Sequence, residues 1–155
     1  MMRRISSKTR WAILLLAVAG LGFCTVRLEP GGINNVREKV VTLAESLSGL
    51  PYHYGGVDID GFDCSGFVHY VYDCYGIQLP RTAKKQGKMK NRVRLNQARP
   101  GDIVVFKIKG GWHTGLFLSR RIFLHAPKRG DRVRKEPFNS FWMSRFQWAI
   151  AVLDK

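Results

Sequence analysis

Cysteine is sparse and unpatterned in this chain. Only Cys24, Cys64 and Cys74 occur, an odd count at spacings that match neither a disulfide framework nor a zinc ribbon. No C-x-x-C or H-x-x-x-H spacing exists, so neither a structural metal nor a metal cofactor is expected. Acidic residues are scarce too: 11 Asp and Glu stand against 26 Lys and Arg in 155 residues, a net charge of +15. A chain this basic expects anionic surroundings, whether nucleic acid, membrane headgroups or a polyanionic cell wall. Internal repeats are lacking, which excludes solenoids and propellers. The length suits one core and is short for two domains.

Long apolar runs are also missing, with one exception near the N-terminus. Arg3, Arg4, Lys8 and Arg10 precede an uncharged stretch over residues 11–26. At about 1.5 Å per residue it reaches roughly 24 Å, short of a hydrocarbon core of roughly 30 Å. Residues 1–30 are therefore expected to be a signal peptide or N-terminal membrane anchor plus linker, with export across the bacterial cytoplasmic membrane. Leu21-Gly22-Phe23-Cys24 is similar to a lipoprotein signal, in which Cys24 would carry lipid, although Phe23 is bulkier than that pattern favours. The charge is not confined to this segment, since residues 31–155 still carry +11.

In the remaining chain, Val36, Val40, Leu43, Ala44 and Leu47 mark an amphipathic helix capped by Asn34 or Asn35 and closed by Gly49. Cys64, Phe67, Val68, Val71 and Tyr75 fall on a second helical stripe, with Asp63 as N-cap and Gly76 as stop. Cys64 is then the first residue of its helix. Unpaired backbone N–H groups and the helix dipole there favour thiolate, so a lowered thiol pKa is expected. Residues 81–99 hold eight basic side chains and no acid, a solvated face or a contact surface for an anionic polymer. No aromatic residue is interleaved, which argues against single-strand nucleic-acid binding. Strand-like runs follow at 103–108, 112–118 and 122–126, with Gly110-Gly111 as the connection between the first two. Residues 138–146 suggest a short aromatic helix or turn and 148–153 a last strand. Strands clustered after helices indicate an α+β class with an antiparallel sheet.

A cysteine nucleophile needs a base, and a third group to hold that base in its useful tautomer. Of the four histidines, His69 lies about 140° around the helix from Cys64 at roughly 100° per residue, and His53 precedes the helix in a loop. His113 and His125 sit in strand-like runs able to pack on the Cys64 helix. A strict two-residue turn at Arg120-Arg121 would put their rings on opposite sheet faces. A longer turn or a bulge would place His125 opposite Gly115, whose missing side chain lets the rings approach.

Six segments in order complete the pattern: Pro51-Tyr52-His53-Tyr54-Gly55-Gly56, Gly61-Phe62-Asp63-Cys64-Ser65-Gly66-Phe67-Val68, Leu79-Pro80-Arg81-Thr82, Pro100-Gly101-Asp102-Ile103-Val104, His113-Thr114-Gly115-Leu116-Phe117 and Phe123-Leu124-His125-Ala126-Pro127. In this the chain resembles the NlpC/P60 family of papain-like cysteine peptidases, with residues 31–155 as the catalytic domain. The resemblance implies a nucleophile helix on an antiparallel sheet, with Cys64 as nucleophile, His113 as general base and His125 as orienting third member. It implies Tyr52 beside the oxyanion site and Asp63 and Ser65 as substrate contacts. The implied substrate is the stem peptide of peptidoglycan, cleaved without cofactor by a monomer at the cell envelope, with an anionic wall or membrane surface nearby and no specific nucleic acid. Two other uses stay open: a catalytically silent wall- or membrane-tethered binding module, and an acyltransferase or amidase on the same triad.

Overall fold

In the computed structural model, residues 33–154 are described. The signal-like segment, Cys24 and the linker before Ile33 lie outside them. The elements run α1 (Ile33–Ser46), β1 (Val57–Asp58), β2 (Gly61–Phe62), α2 (Cys64–Asp73), α3 (Ala83–Gln86), β3 (Arg92–Val93), β4 (Ile103–Ile108), β5 (Gly111–Ser119), β6 (Ile122–His125), β7 (Arg134–Pro137), α4 (Ser140–Met143) and β8 (Phe146–Ile150). Six strands form one sheet in the order β3-β8-β4-β5-β6-β7, every neighbouring pair antiparallel. This is the expected α+β class.

Alternation along the central strands splits the interior in two. Ile103, Val105, Leu116 and Leu124 face α1 and α2 in one cluster with Val40, Ala44, Phe67, Val68 and Val71. Val104, Phe106, Phe117 and Phe123 face the other way, onto Trp142 of α4. Such two-sided burial explains why these strands read as nearly continuous apolar runs. The stripe expected of α2 is the buried one, and Asp63 caps the helix by accepting from the Gly66 N–H at 2.7 Å. Helix α1 is tied to the start of β4 by Arg37, whose guanidinium reaches Asp102 Oδ1 and Asp154 Oδ1, both at 2.8 Å.

Several expectations are corrected. Helix α1 already includes Asn34 and Asn35, so neither is its cap. The β4–β5 hairpin pairs Ile108 with Gly111, which makes Lys109-Gly110 the two-residue connection; Gly110, at φ +103°, takes the left-handed position. The last strand is Phe146–Ile150 rather than 148–153. The basic stretch at 81–99 supplies α3 and β3. The Arg-Lys-Glu-Pro edge strand β7 went unread because it carries no apolar alternation.

Candidate active site

The turn between β5 and β6 decides whether the two histidines can meet. Leu116 pairs with Leu124 and Phe117 with Phe123, yet Ser119 pairs with Ile122, so one extra residue is accommodated next to a tight Arg120-Arg121 turn. This β-bulge shifts the strand parity. Continued by one residue beyond Leu116–Leu124, the register sets His125 opposite Gly115, and His113 Nε2 lies 2.7 Å from His125 Nδ1. Gly115 is the gap that permits this. A Cβ built there would lie 2.7 Å from the Leu124 carbonyl oxygen and 3.0 Å from His125 Cβ.

Both imidazoles are buried, and they point away from α2. His113 packs on Trp142 with ring centroids 5.4 Å apart and His125 does so at 5.1 Å, inside the aromatic cluster. The strands do pack on the Cys64 helix, but through their opposite faces. Cys64 shares a cleft with His113 because it is the first residue of α2, where the Thr114 backbone N–H on β5 acts on its sulfur. One open cleft of about 750 Å³ is lined by Tyr52, Asp63, Cys64, Ser65, Arg81, Trp112 and His113 among others. His125 stands behind His113, outside the lining. His53 is exposed, and the His69 ring is engaged by the Leu79 carbonyl at 2.9 Å.

Burial reverses the expected pKa of the thiol. It pushes Cys64 up, the charge of Asp63 adds to this, and the N–H groups of Thr114, Ser65 and Cys64 itself only partly compensate. Burial likewise drives His113 down to about 3, helped by His125, and His125 down to about 3, helped by Arg134. The resting pair is therefore thiol and neutral imidazole. Burial, with the nearby thiol and Asp63, raises Tyr52, so its hydroxyl keeps its proton and can donate.

Asp63 has its oxygens occupied by the chain itself. Besides capping α2, it takes Arg81 Nη1 at 3.0 Å and Nη2 at 2.7 Å, the Ser65 hydroxyl at 3.2 Å and the Gly55 N–H at 3.1 Å. Burial opposes its charge, but Arg81, the Gly66 N–H and Ser65 outweigh it and hold the carboxyl below its ordinary range. Two supporting residues escaped the sequence reading. Arg81, in Leu79-Pro80-Arg81-Thr82, reads in the sequence as one of many surface cations. Buried Gln86 donates to the Ser65 and Pro80 carbonyls, both at 3.0 Å, and accepts from the Thr114 hydroxyl at 2.9 Å. It thereby ties the residue after Cys64 to the residue after His113.

A helix-borne cysteine and a strand-borne histidine sharing one cleft beside an antiparallel sheet define a papain-like α+β protein. The chain belongs to the NlpC/P60 family, whose model matches residues 49–151. It is 29% identical over 153 residues to the probable endopeptidase NlpC of Escherichia coli, covering 92% of this chain and 99% of that one. The NlpC/p60 domain of the peptidoglycan hydrolase SagA superimposes with a TM-score of 0.66 at 30% identity, over 74% of this chain and 97% of that domain. RipD of Mycobacterium tuberculosis, described as a non-catalytic NlpC/p60 domain protein adapted to peptidoglycan binding, gives 0.64 at 25% identity, over 76% and 97%.

Proposed function

We propose that this protein is a cysteine endopeptidase that hydrolyses peptide bonds in peptidoglycan stem peptides. The observation carrying the reading is the placement of Cys64 and His113 in one cleft with His125 hydrogen-bonded behind. His113 Nε2 is engaged by His125, which leaves Nδ1 as the base. It accepts the Cys64 proton as sulfur attacks the amide carbonyl. The Cys64 backbone N–H and the Tyr52 hydroxyl donate to the oxyanion. His113 then protonates the leaving amine as the C–N bond breaks, and takes a proton from the water that cleaves the thioester. That last proton returns to sulfur. Because the resting pair is neutral, proton transfer accompanies attack rather than preceding it.

The other assignments go with this reading. Residues 1–30 act as the export signal or as an anchor, through the N-terminal segment itself or through lipid on Cys24, and residues 31–155 are the catalytic domain acting as a monomer. Asp63 and Ser65 line the cleft and act on the substrate through Arg81, which they fix at the rim. The residual charge of +11 over residues 31–155 favours retention at an anionic envelope.

The test is digestion of purified peptidoglycan by residues 31–155, with mass analysis of the fragments. Wild type releases stem-peptide fragments and Cys64→Ala does not; identical fragments from both would end the hydrolase reading. A silent binding module of the RipD kind predicts that the wild type binds the same peptidoglycan and releases no fragments.

A further inference from the structure

Behind the cleft, the His125 ring has one nitrogen with a partner and one without. Nδ1 meets His113, whereas Nε2 has no hydrogen-bond partner although the residue is wholly enclosed. The carboxylate it faces is Glu136, whose Oε2 lies 3.7 Å away. Glu136 sits opposite Phe123 on β7, hence diagonal to His125 on the same face of the sheet. Arg134 Nε aims that carboxylate from 2.9 Å, and Arg134 Nη1 is itself fixed by both Asp131 oxygens at 2.6 and 2.7 Å.

Two neutral imidazoles 2.7 Å apart share one proton, and two arrangements are available. In the first, His113 Nε2–H donates to His125 Nδ1. His113 Nδ1 then carries a lone pair for the thiol, and His125 Nε2 carries a hydrogen toward Glu136. In the second, His125 Nδ1–H donates to His113 Nε2. His113 Nδ1 is then protonated and useless as a base, and the His125 Nε2 lone pair confronts a carboxylate. The distance is beyond a hydrogen bond, so the carboxylate acts through its charge. A negative charge within about 4–6 Å favours the protonated nitrogen.

We propose that Glu136 is a positioning residue that selects the productive tautomer of the His113–His125 pair and stabilises the positive charge on that pair once His113 has taken the thiol proton. The inference rests on the cysteine-peptidase reading and deepens it. Among the described residues, the charged or titratable groups facing His125 are His113 from β5 and Arg134 and Glu136 from β7. Helix α4 contributes only the Trp142 ring. Burial and Arg134 oppose protonation of His125, and Glu136 is the carboxylate that the geometry sets against its Nε2.

Glu136→Gln keeps shape and removes charge. The expected result is a fall in kcat of about 10-fold, short of the ~10⁴-fold loss for a directly bonded orienting carboxylate. KM stays unchanged, and the acid limb of the kcat/KM profile moves to lower pH because the imidazole becomes less basic. Iodoacetamide alkylation of Cys64 slows in parallel, and Glu136→Asp recovers part of both rates. Unchanged kcat and acid limb in a folded Glu136→Gln would overturn the inference while leaving the peptidase reading intact; an inert wild type would instead remove that reading. Should the variant fail to fold, ¹⁵N NMR of the wild-type histidines decides. Protonated Nε2 on both rings at neutral pH supports the assignment, and unprotonated His125 Nε2 overturns it.

Discussion

Adding one methyl group at Gly115 should damage activity more than stability. The new Cβ would stand 2.7 Å from the Leu124 carbonyl oxygen, 3.0 Å from His125 Cβ and 3.1 Å from Phe123 Cδ2, where ordinary contact begins near 3.4 Å. Two of these neighbours are backbone or Cβ atoms of β6, which no rotamer change can move. Strand β6 must therefore recede from β5 by about 0.7 Å, the difference between 3.4 and 2.7 Å. Overpacking of this kind costs about 1–3 kcal/mol, offset by roughly 0.5–1 kcal/mol because Ala loses less entropy than Gly in a strand. His125 travels with β6, and its 2.7 Å bond to His113 stretches past useful hydrogen-bond length. Misplacement on this scale lowers kcat by about 10²-fold. The assay pairs initial rates of stem-peptide release with the urea midpoint of the same preparation. A Gly115→Ala protein with kcat within about 2-fold of wild type, whatever its midpoint, would refute the idea that the β5–β6 spacing sets the histidine pair.

Acid should destabilise the fold through the buried histidine pair. His113 and His125 stay neutral in the folded state down to about 3 but take up protons near 6.5 when unfolded, so their contribution is fully present above 6.5. It is lost as pH falls from there toward the folded values, at about 1.4 kcal/mol per pH unit for each ring. Urea midpoints from pH 7.5 to 4.5 measure this; His125→Asn should halve the slope, and a flat profile would contradict it. Asp63→Ala should cost about 1–2 kcal/mol through the lost cap of α2, whereas Asp63→Asn keeps a capping oxygen and loses the ion pair together with the acceptor of the Gly55 N–H. Arg81 is 35% exposed, so that pair is worth no more than about 1 kcal/mol, and equal denaturation midpoints for the two variants would refute the division. Gln86→Ala strands the Ser65 and Pro80 carbonyls and the Thr114 hydroxyl, an expected loss of about 2–4 kcal/mol. A change below about 1 kcal/mol in calorimetry would mean that these groups find other partners.

Much of the architecture was legible in one dimension because it rests on period. The stripe from Cys64 to Tyr75 fixed α2, its cap and its buried face, and short apolar runs bounded by turn residues located β4, β5 and β6 to within a residue or two. The histidine parity was legible only as a condition: residues alone cannot say whether a turn holds a bulge, since the Ser119 region satisfies either register until β6 is packed. Other features depended wholly on the folded state. The sign of the Cys64 shift turned on how deeply the helix N-terminus is enclosed, and desolvation outweighed the local N–H groups that the sequence displays. Gln86 looks like one polar residue in a basic stretch until three elements converge on its amide. Glu136, on a polar edge strand, gains meaning only from lying 3.7 Å behind a buried ring. Sequence by itself determined which residues could do acyl chemistry and the order in which they occur. Tertiary structure decided which of them share a face, which nitrogen is left free and which charges are stripped of water, because each depends on distances between segments far apart in the chain.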